Sequence, residues 1–140
     1  MHAVQLLPIY DTTQERTHTD SYPYNAISVH AIHPLYIDLR QLPLADVNKL
    51  ENFKARWHEL NALPALDYVE VIKLKEDYLH QLYEEQQHTL CQKDGYRSFV
   101  DNNAEWLQPY SVFCHLRDKY GTSYFSDWPV LSSYNRSAVM

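Results

Sequence analysis

Apolar residues recur at steps of three and four over residues 47–60, where Val47, Leu50, Phe53, Trp57 and Leu60 form one stripe of a helix. Asp46 is placed to cap it. Pro64, in NALPALD, ends the helical period. A longer helix then opens at Asp67, with Glu70 three positions on as its capping-box partner. Tyr68, Val71, Ile72, Tyr78, Leu79, Leu82 and Tyr83 line one side of it. Lys75, Glu76, Glu84, Glu85 and Gln87 fall mostly on the other, so the tyrosines of this stripe read as packing and Glu84–Glu85 as a solvated face. The Asp-Gly of QKDGY (92–96) predicts a turn. Ser98 and Asp101 open a short helix through Trp106 and Leu107, and Pro109 starts a last one at its first-turn position. There Tyr110, Phe113, Leu116, Arg117 and Tyr120 share a side, and Gly121 supplies a left-handed stop. The tail TSYFSDWPVLSSYN is aromatic and irregular.

The first 44 residues follow another pattern. AVQLLPI (3–9) is a short apolar run that suits a strand buried on both faces, as in a parallel sheet. PLYIDL (34–39) is the other extended candidate, and two such segments do not make a stable sheet. Residues 11–33 are polar, rich in Thr and Tyr, and lack helical period. Loops above about 12–15 residues in a compact domain are usually functional or disordered, and the rings here argue against disorder. The expected fold is therefore mainly α with a short β element: a strand, a long aromatic loop, then four helices. Elements of this kind belong to larger parallel sheets.

Composition narrows the function. The chain has 140 residues, 45% hydrophobic, enough for one core. Only 2 Gly are present, and no GxGxxG or P-loop pattern occurs, which argues against a phosphate-cradling loop. A formal charge of −6 gives a nucleic-acid partner no electrostatic help. No apolar run approaches the roughly 20 residues that span a bilayer. MHAVQLLPIYDTT lacks a basic start and a small-residue cleavage site, so no signal peptide is read. Cys91 and Cys114 match no zinc spacing and read as reduced thiols of a cytoplasmic protein. His18, His30 and His33 lack a ligand pattern such as HExxH, so no metal or cofactor is expected. Ser28, Ser132 and Ser133 have no nucleophile elbow around them.

VQLLPIYDT, followed by DSYPYNAISVHAIHPLYIDL, resembles the 4-α-glucanotransferases of glycoside hydrolase family 77 (amylomaltases, or disproportionating enzymes). In that family a barrel strand like QxLPL/INDT precedes SPY or SYPY and then a segment ending HPLYIDL. The matching residues are Gln5, Leu7, Pro8, Asp11, Thr12, Asp20 to Tyr24, Ser28, Ala31 and His33 to Leu39. ELNALPALDYVEVIKLK, NAEWLQPYSVFCHLRDKYGT and FSDWP resemble the helical insertion and flanking helix of longer members. Tyr10 stands where relatives commonly have Asn, and His30 where an aromatic hydrocarbon is usual.

The resemblance implies a partial (β/α)8 TIM barrel. Residues 1–10 would be a barrel strand, 11–44 a substrate-groove loop, 45–93 a helical insertion, and 94–140 barrel-flanking helices and tail. It implies a retaining transfer of α-1,4-glucan chains whose catalytic carboxylates lie in segments beyond this one, so no residue here is expected to be catalytic and the chain alone is expected to be inactive. Tyr and Trp rings stack on the flat C–H face of glucose, and a loop leaving the C-terminal end of a barrel strand sits where such active sites are built. Tyr24 is the first candidate for contact with the sugar, followed by Tyr22, Asp11 and Asn25. Tyr36 reads as core. The implied partner is an α-1,4-glucan or maltooligosaccharide, with self-association through barrel-facing surfaces. The alternative is a small non-enzymatic helical module binding a glucan or a protein.

Overall fold

A computed structural model describes residues 4–42, 44–133 and 137. The chain divides into two compact units, Met1–Thr89 and Leu90–Met140. In the first, β1 (Tyr10–Asp11) pairs antiparallel with β2 (Ser28–Ile32), and two long helices follow, α1 (Val47–Asn61) and α2 (Tyr68–Leu90). The second holds α3 (Asp94–Tyr120) and a 3-10 turn at Phe125–Asp127.

The helical pattern of the middle of the chain is realised closely. The Asp46 carboxylate accepts from the Asn48 and Lys49 amides and starts α1. Asp67 accepts from the Glu70 amide at the start of α2. The reciprocal half of the capping box is replaced, because the Glu70 carboxylate takes Arg56 of α1 at 2.7 Å. The core of this unit is built on Leu39, Leu44 and Tyr78, with Ile37, Leu50, Phe53, Leu79 and Leu82 against them. Phe53 meets Tyr78 edge-on at 5.1 Å, and the Tyr78 hydroxyl donates to the Leu42 carbonyl at 2.6 Å. A buried Tyr needs such an acceptor. Val47 and Tyr83, expected on the apolar stripes, are exposed instead.

The expectations for the first 44 residues are corrected in three places. Residues 4–9 of the expected strand form no strand and leave Val4, Leu6 and Leu7 exposed, while residues 1–3 lie outside the described residues. Among the described residues no parallel strand flanks it, and the chain pairs instead as a short antiparallel hairpin one step later. The long loop is not structureless, since it ends in β2. PLYIDL is not extended either. His33 and Asp38 cap two 3-10 turns, Pro34–Tyr36 and Leu39–Gln41, each accepting a backbone amide two residues on. Tyr36 is half-exposed rather than core.

In the C-terminal unit the expected turn at Asp94-Gly95 falls inside α3, and the turn lies just before it at Cys91–Gln92. The two expected helices are one, running 27 residues through Pro109. Pro109 has no N–H for the fourth residue back, a local loss the flanking turns tolerate. Gly121 ends the helix at φ 67°, as its position suggested. The tail is ordered by Trp128, whose indole lies against Phe113 and Tyr120 and donates to the Thr122 carbonyl at 2.9 Å. Residues 134–136 and 138–140 of the tail lie outside the described residues.

Candidate functional site

The hairpin ends bracket a loop whose floor is polar and buried. The Asp11 carboxylate accepts from the Thr13 amide at 2.9 Å and the Thr13 hydroxyl at 2.7 Å. Asp20 closes the loop from the other end, its carboxylate accepting from the Glu15 amide at 3.0 Å and the Arg16 amide at 2.7 Å. These bonds fix Arg16 at φ 56°, a left-handed conformation that costs a non-glycine residue free energy. The Thr12 hydroxyl donates to the Asp20 carbonyl, and the Asp11 carbonyl accepts from the Ile27 amide at 2.8 Å. Asp11, Thr12, Thr13 and Asp20 are all buried. Short oxygen-bearing side chains that compete for backbone amides hold irregular chain where no helix or ladder can.

Above this floor stand the rings. Tyr22 and Tyr24 are 60% and 63% exposed, with ring centres 5.5 Å apart and planes tilted by 54°. Asn25 is exposed beside them, its carbonyl held by the Gln14 side chain at 2.9 Å. Of the four sequence-derived candidates, the structure therefore gathers Tyr22, Tyr24 and Asn25 on the outer side of the loop and puts Asp11 inside, at 1% exposure. Val29 and Ile32 of β2 add exposed apolar side chains in the same unit.

Under the loop, His33 and Tyr68 join it to α2. The His33 Nε2 lies 2.7 Å from the Tyr68 hydroxyl, and its Nδ1 accepts from the Leu35 amide at 3.0 Å. Burial lowers the His33 pKa against the pull of the Asp11 and Asp20 carboxylates, so the ring is held toward its neutral form. Burial also pushes the Tyr68 hydroxyl up to about 12, helped by the Asp20 charge. The Lys75 ammonium of α2 donates to the Leu35 and Ile37 carbonyls and so fixes the turn that follows His33.

A hollow of about 380 Å³ lies between residues 35–40 and the two helices. Trp57, Leu60 and Leu66 give it apolar walls, and the Asp38–Arg40 ion pair stands at 2.8 Å on its edge. Among the described residues, no group of three or more His, Cys, Asp or Glu side chains could hold a metal ion, and no helix is long and apolar enough to cross a membrane.

Pattern reading did not anticipate Asp20, His33, Tyr68 and Lys75 as the parts that hold the loop. A signal was present for the first of them: Asp11, Thr12, Thr13, Thr17, Thr19 and Asp20 form a cluster of backbone-seeking side chains.

Comparison with known proteins adds a separate line. A family model described as 4-alpha-glucanotransferase matches residues 1–140. The chain is 32% identical over 138 residues to the 4-alpha-glucanotransferase DPE2 of Oryza sativa subsp. japonica, covering 99% of this chain and 15% of that protein. It is 33% identical to the 4-alpha-glucanotransferase of Chlamydia caviae and 30% identical to that of Chlamydia pneumoniae. Each of these two matches covers 90% of this chain and 23% of the relative. The chain thus spans less than a quarter of the length of these relatives. No solved structure matches it.

Proposed function

The chain belongs to the 4-alpha-glucanotransferase family, glycoside hydrolase family 77, and from that membership we propose that it forms one wall of the glucan groove of such an enzyme. The observation that carries this reading is the pair Tyr22 and Tyr24, two exposed rings on a loop whose backbone is fixed from below. Exposed rings gain nothing from a core. They offer a sugar two flat apolar faces with hydroxyls at the edge, and the fixed loop removes much of the ordering cost of binding. Tyr24 is the leading contact, Tyr22 flanks it, and Asn25 supplies hydrogen bonds to sugar hydroxyls. Asp11, buried below, supports the loop.

The reaction proposed for the whole enzyme is transfer of α-1,4-glucan chains with retention, between maltooligosaccharides or longer glucans. It uses two carboxylates roughly 5–5.5 Å apart, assigned here to segments outside these 140 residues. A ring-lined groove favours an acceptor sugar over water at the covalent intermediate. The exposed apolar residues Val4, Leu6, Leu7, Val29 and Ile32 support a (β/α)8 barrel in which other segments cover them, and self-association of the chain when they do not. Cys91 and Cys114, which are not joined in a disulfide, suit the cytoplasm.

Two measurements on the 140-residue chain test the reading. Titration with maltoheptaose is expected to shift the ring resonances of Tyr22 and Tyr24 before those of Tyr78, and incubation with maltotriose is expected to release no glucose. Glucose release would overturn the proposed division of labour. Ring shifts confined to other tyrosines would remove Tyr22 and Tyr24 from the groove.

A further inference from the structure

Tyr22 and Tyr24 are the first and third residues of one turn, and its two ends are held separately. Pro23, whose ring restricts φ, suits the second position, and the Asn25 amide closes the turn on the Tyr22 carbonyl at 3.4 Å. At the near end the Tyr22 amide donates to the Thr19 carbonyl at 3.2 Å. At the far end the Gln14 side chain reaches across eleven positions, its Nε2 donating to the Asn25 carbonyl at 2.9 Å. Gln14 is itself rooted in the buried floor. Its backbone amide donates to the Thr12 carbonyl at 2.8 Å, and the buried Thr13 precedes it.

The bond to Asn25 also fixes which way the Gln14 amide faces. A carbonyl can only accept, so the atom beside it is the NH2 donor, and Oε1 points away from it. Among the described residues Oε1 has no hydrogen-bond partner, and it is open to solvent. A glutamine on a surface ordinarily has much rotamer freedom to lose when it binds something. Here the bond at Nε2 has already taken most of that freedom, so the oxygen is an acceptor held in place beside the exposed Asn25. A glucose unit needs such a neighbour. Its C–H face lies on a ring, and its hydroxyls project from the edge toward donors and acceptors at the rim.

We propose that Gln14 is a further sugar-contacting residue of the glucan wall. Its Nε2 braces the turn that carries Tyr22 and Tyr24, and its Oε1 accepts from a hydroxyl of the glucose unit that lies on those rings. An acceptor at this place favours a neutral, hydroxyl-bearing sugar over a phosphorylated one, whose phosphate oxygens are acceptors too. The sugar contact rests on the groove reading above, whereas the brace does not.

The test uses the full 140-residue chain labelled with ¹⁵N and titrated with maltoheptaose. The side-chain NH2 signal of Gln14 is expected to move together with the ring resonances of Tyr22 and Tyr24. Gln14→Lys keeps a donor for the Asn25 carbonyl and loses the acceptor. The rings of the unbound variant are expected to stay in place while affinity falls about fivefold, the size of one hydrogen bond. Gln14→Met has neither group, and is expected to move the rings and to weaken binding at least as much. An affinity within about twofold of the wild type in Gln14→Lys overturns the contact. A loss of affinity in Gln14→Lys accompanied by displaced rings reduces Gln14 to a brace and overturns the contact as well. In the wild type, ring shifts with an unmoved Gln14 signal overturn the contact and leave the groove reading standing. No shift in either the rings or Gln14 removes the groove reading, and the contact falls with it. If a variant does not fold, the wild-type titration decides alone.

Discussion

Two ring clusters in this chain have the same spacing and opposite surroundings. Tyr22 and Tyr24 lie 5.5 Å apart on the loop, as do Phe113 and Trp128 in the C-terminal unit. Trp128 is 5% exposed and its indole N–H has a carbonyl acceptor; Tyr24 is 63% exposed and sits above buried carboxylates and threonines. In the C-terminal cluster the rings are the core and polar atoms are the exception to be satisfied. In the loop the polar atoms are the core and the rings face outward. Ring contact by itself therefore does not say whether a cluster stabilises the protein. What lies beneath the rings does: apolar burial contributes stability, whereas exposed rings on a fixed polar base leave their faces open to a ligand.

Substitutions should separate the two clusters sharply. Trp128→Ala is expected to cost about 3–5 kcal/mol, read by urea denaturation of the chain, because it opens a cavity beside Phe113 and Tyr120 and removes the hydrogen bond to Thr122. A loss below about 1 kcal/mol would place Trp128 in the same class as the loop tyrosines and break the comparison. Asp20→Ala is expected to cost about 2 kcal/mol by leaving the Glu15 and Arg16 amides without their acceptor, with the loss concentrated in the loop by hydrogen exchange.

A smaller effect comes from pH. The His33 pKa is depressed in the folded chain, so the unfolded chain binds the proton more readily. The associated stability is complete above the ordinary histidine value of 6.5 and is lost as pH falls from there through the lower folded value. Chemical denaturation across this range should show that decline in the wild type and not in His33→Asn. Smallest of all, Tyr24→Ala should change stability by no more than about 0.5 kcal/mol while weakening maltoheptaose binding severalfold. A large stability loss would mean that Tyr24 belongs to a core after all.

The helical half was legible because period and punctuation agree there. Asp46, Asp67 and Gly121 mark ends that the structure keeps, and Leu60, Ile72, Tyr78 and Leu116 are buried where the stripes place them. Pro109 misled because a proline forbids one backbone donor without deciding whether the helix stops or carries on past the gap. The site was half legible. Tyr22, Tyr24 and Asn25 could be singled out as residues with no helix to pack in, yet nothing local told Asp11 from Asn25, one of which is buried and the other exposed. His33 was read for metal spacing and Tyr68 for packing, and neither reading looks across the 35 positions that separate the two.

The sequence by itself determined where α1 and α2 lie, which residues cap them, and the family to which the chain belongs. These follow from interactions within a few positions, or from motifs written contiguously. Only the tertiary structure decided which rings face outward, which carboxylate lies beneath them, and that one histidine joins the loop to α2. Hydrogen bonds and burial between residues far apart in the chain depend on distances that no local pattern encodes, and the bond from His33 to Tyr68 that ties this region to α2 is of that kind.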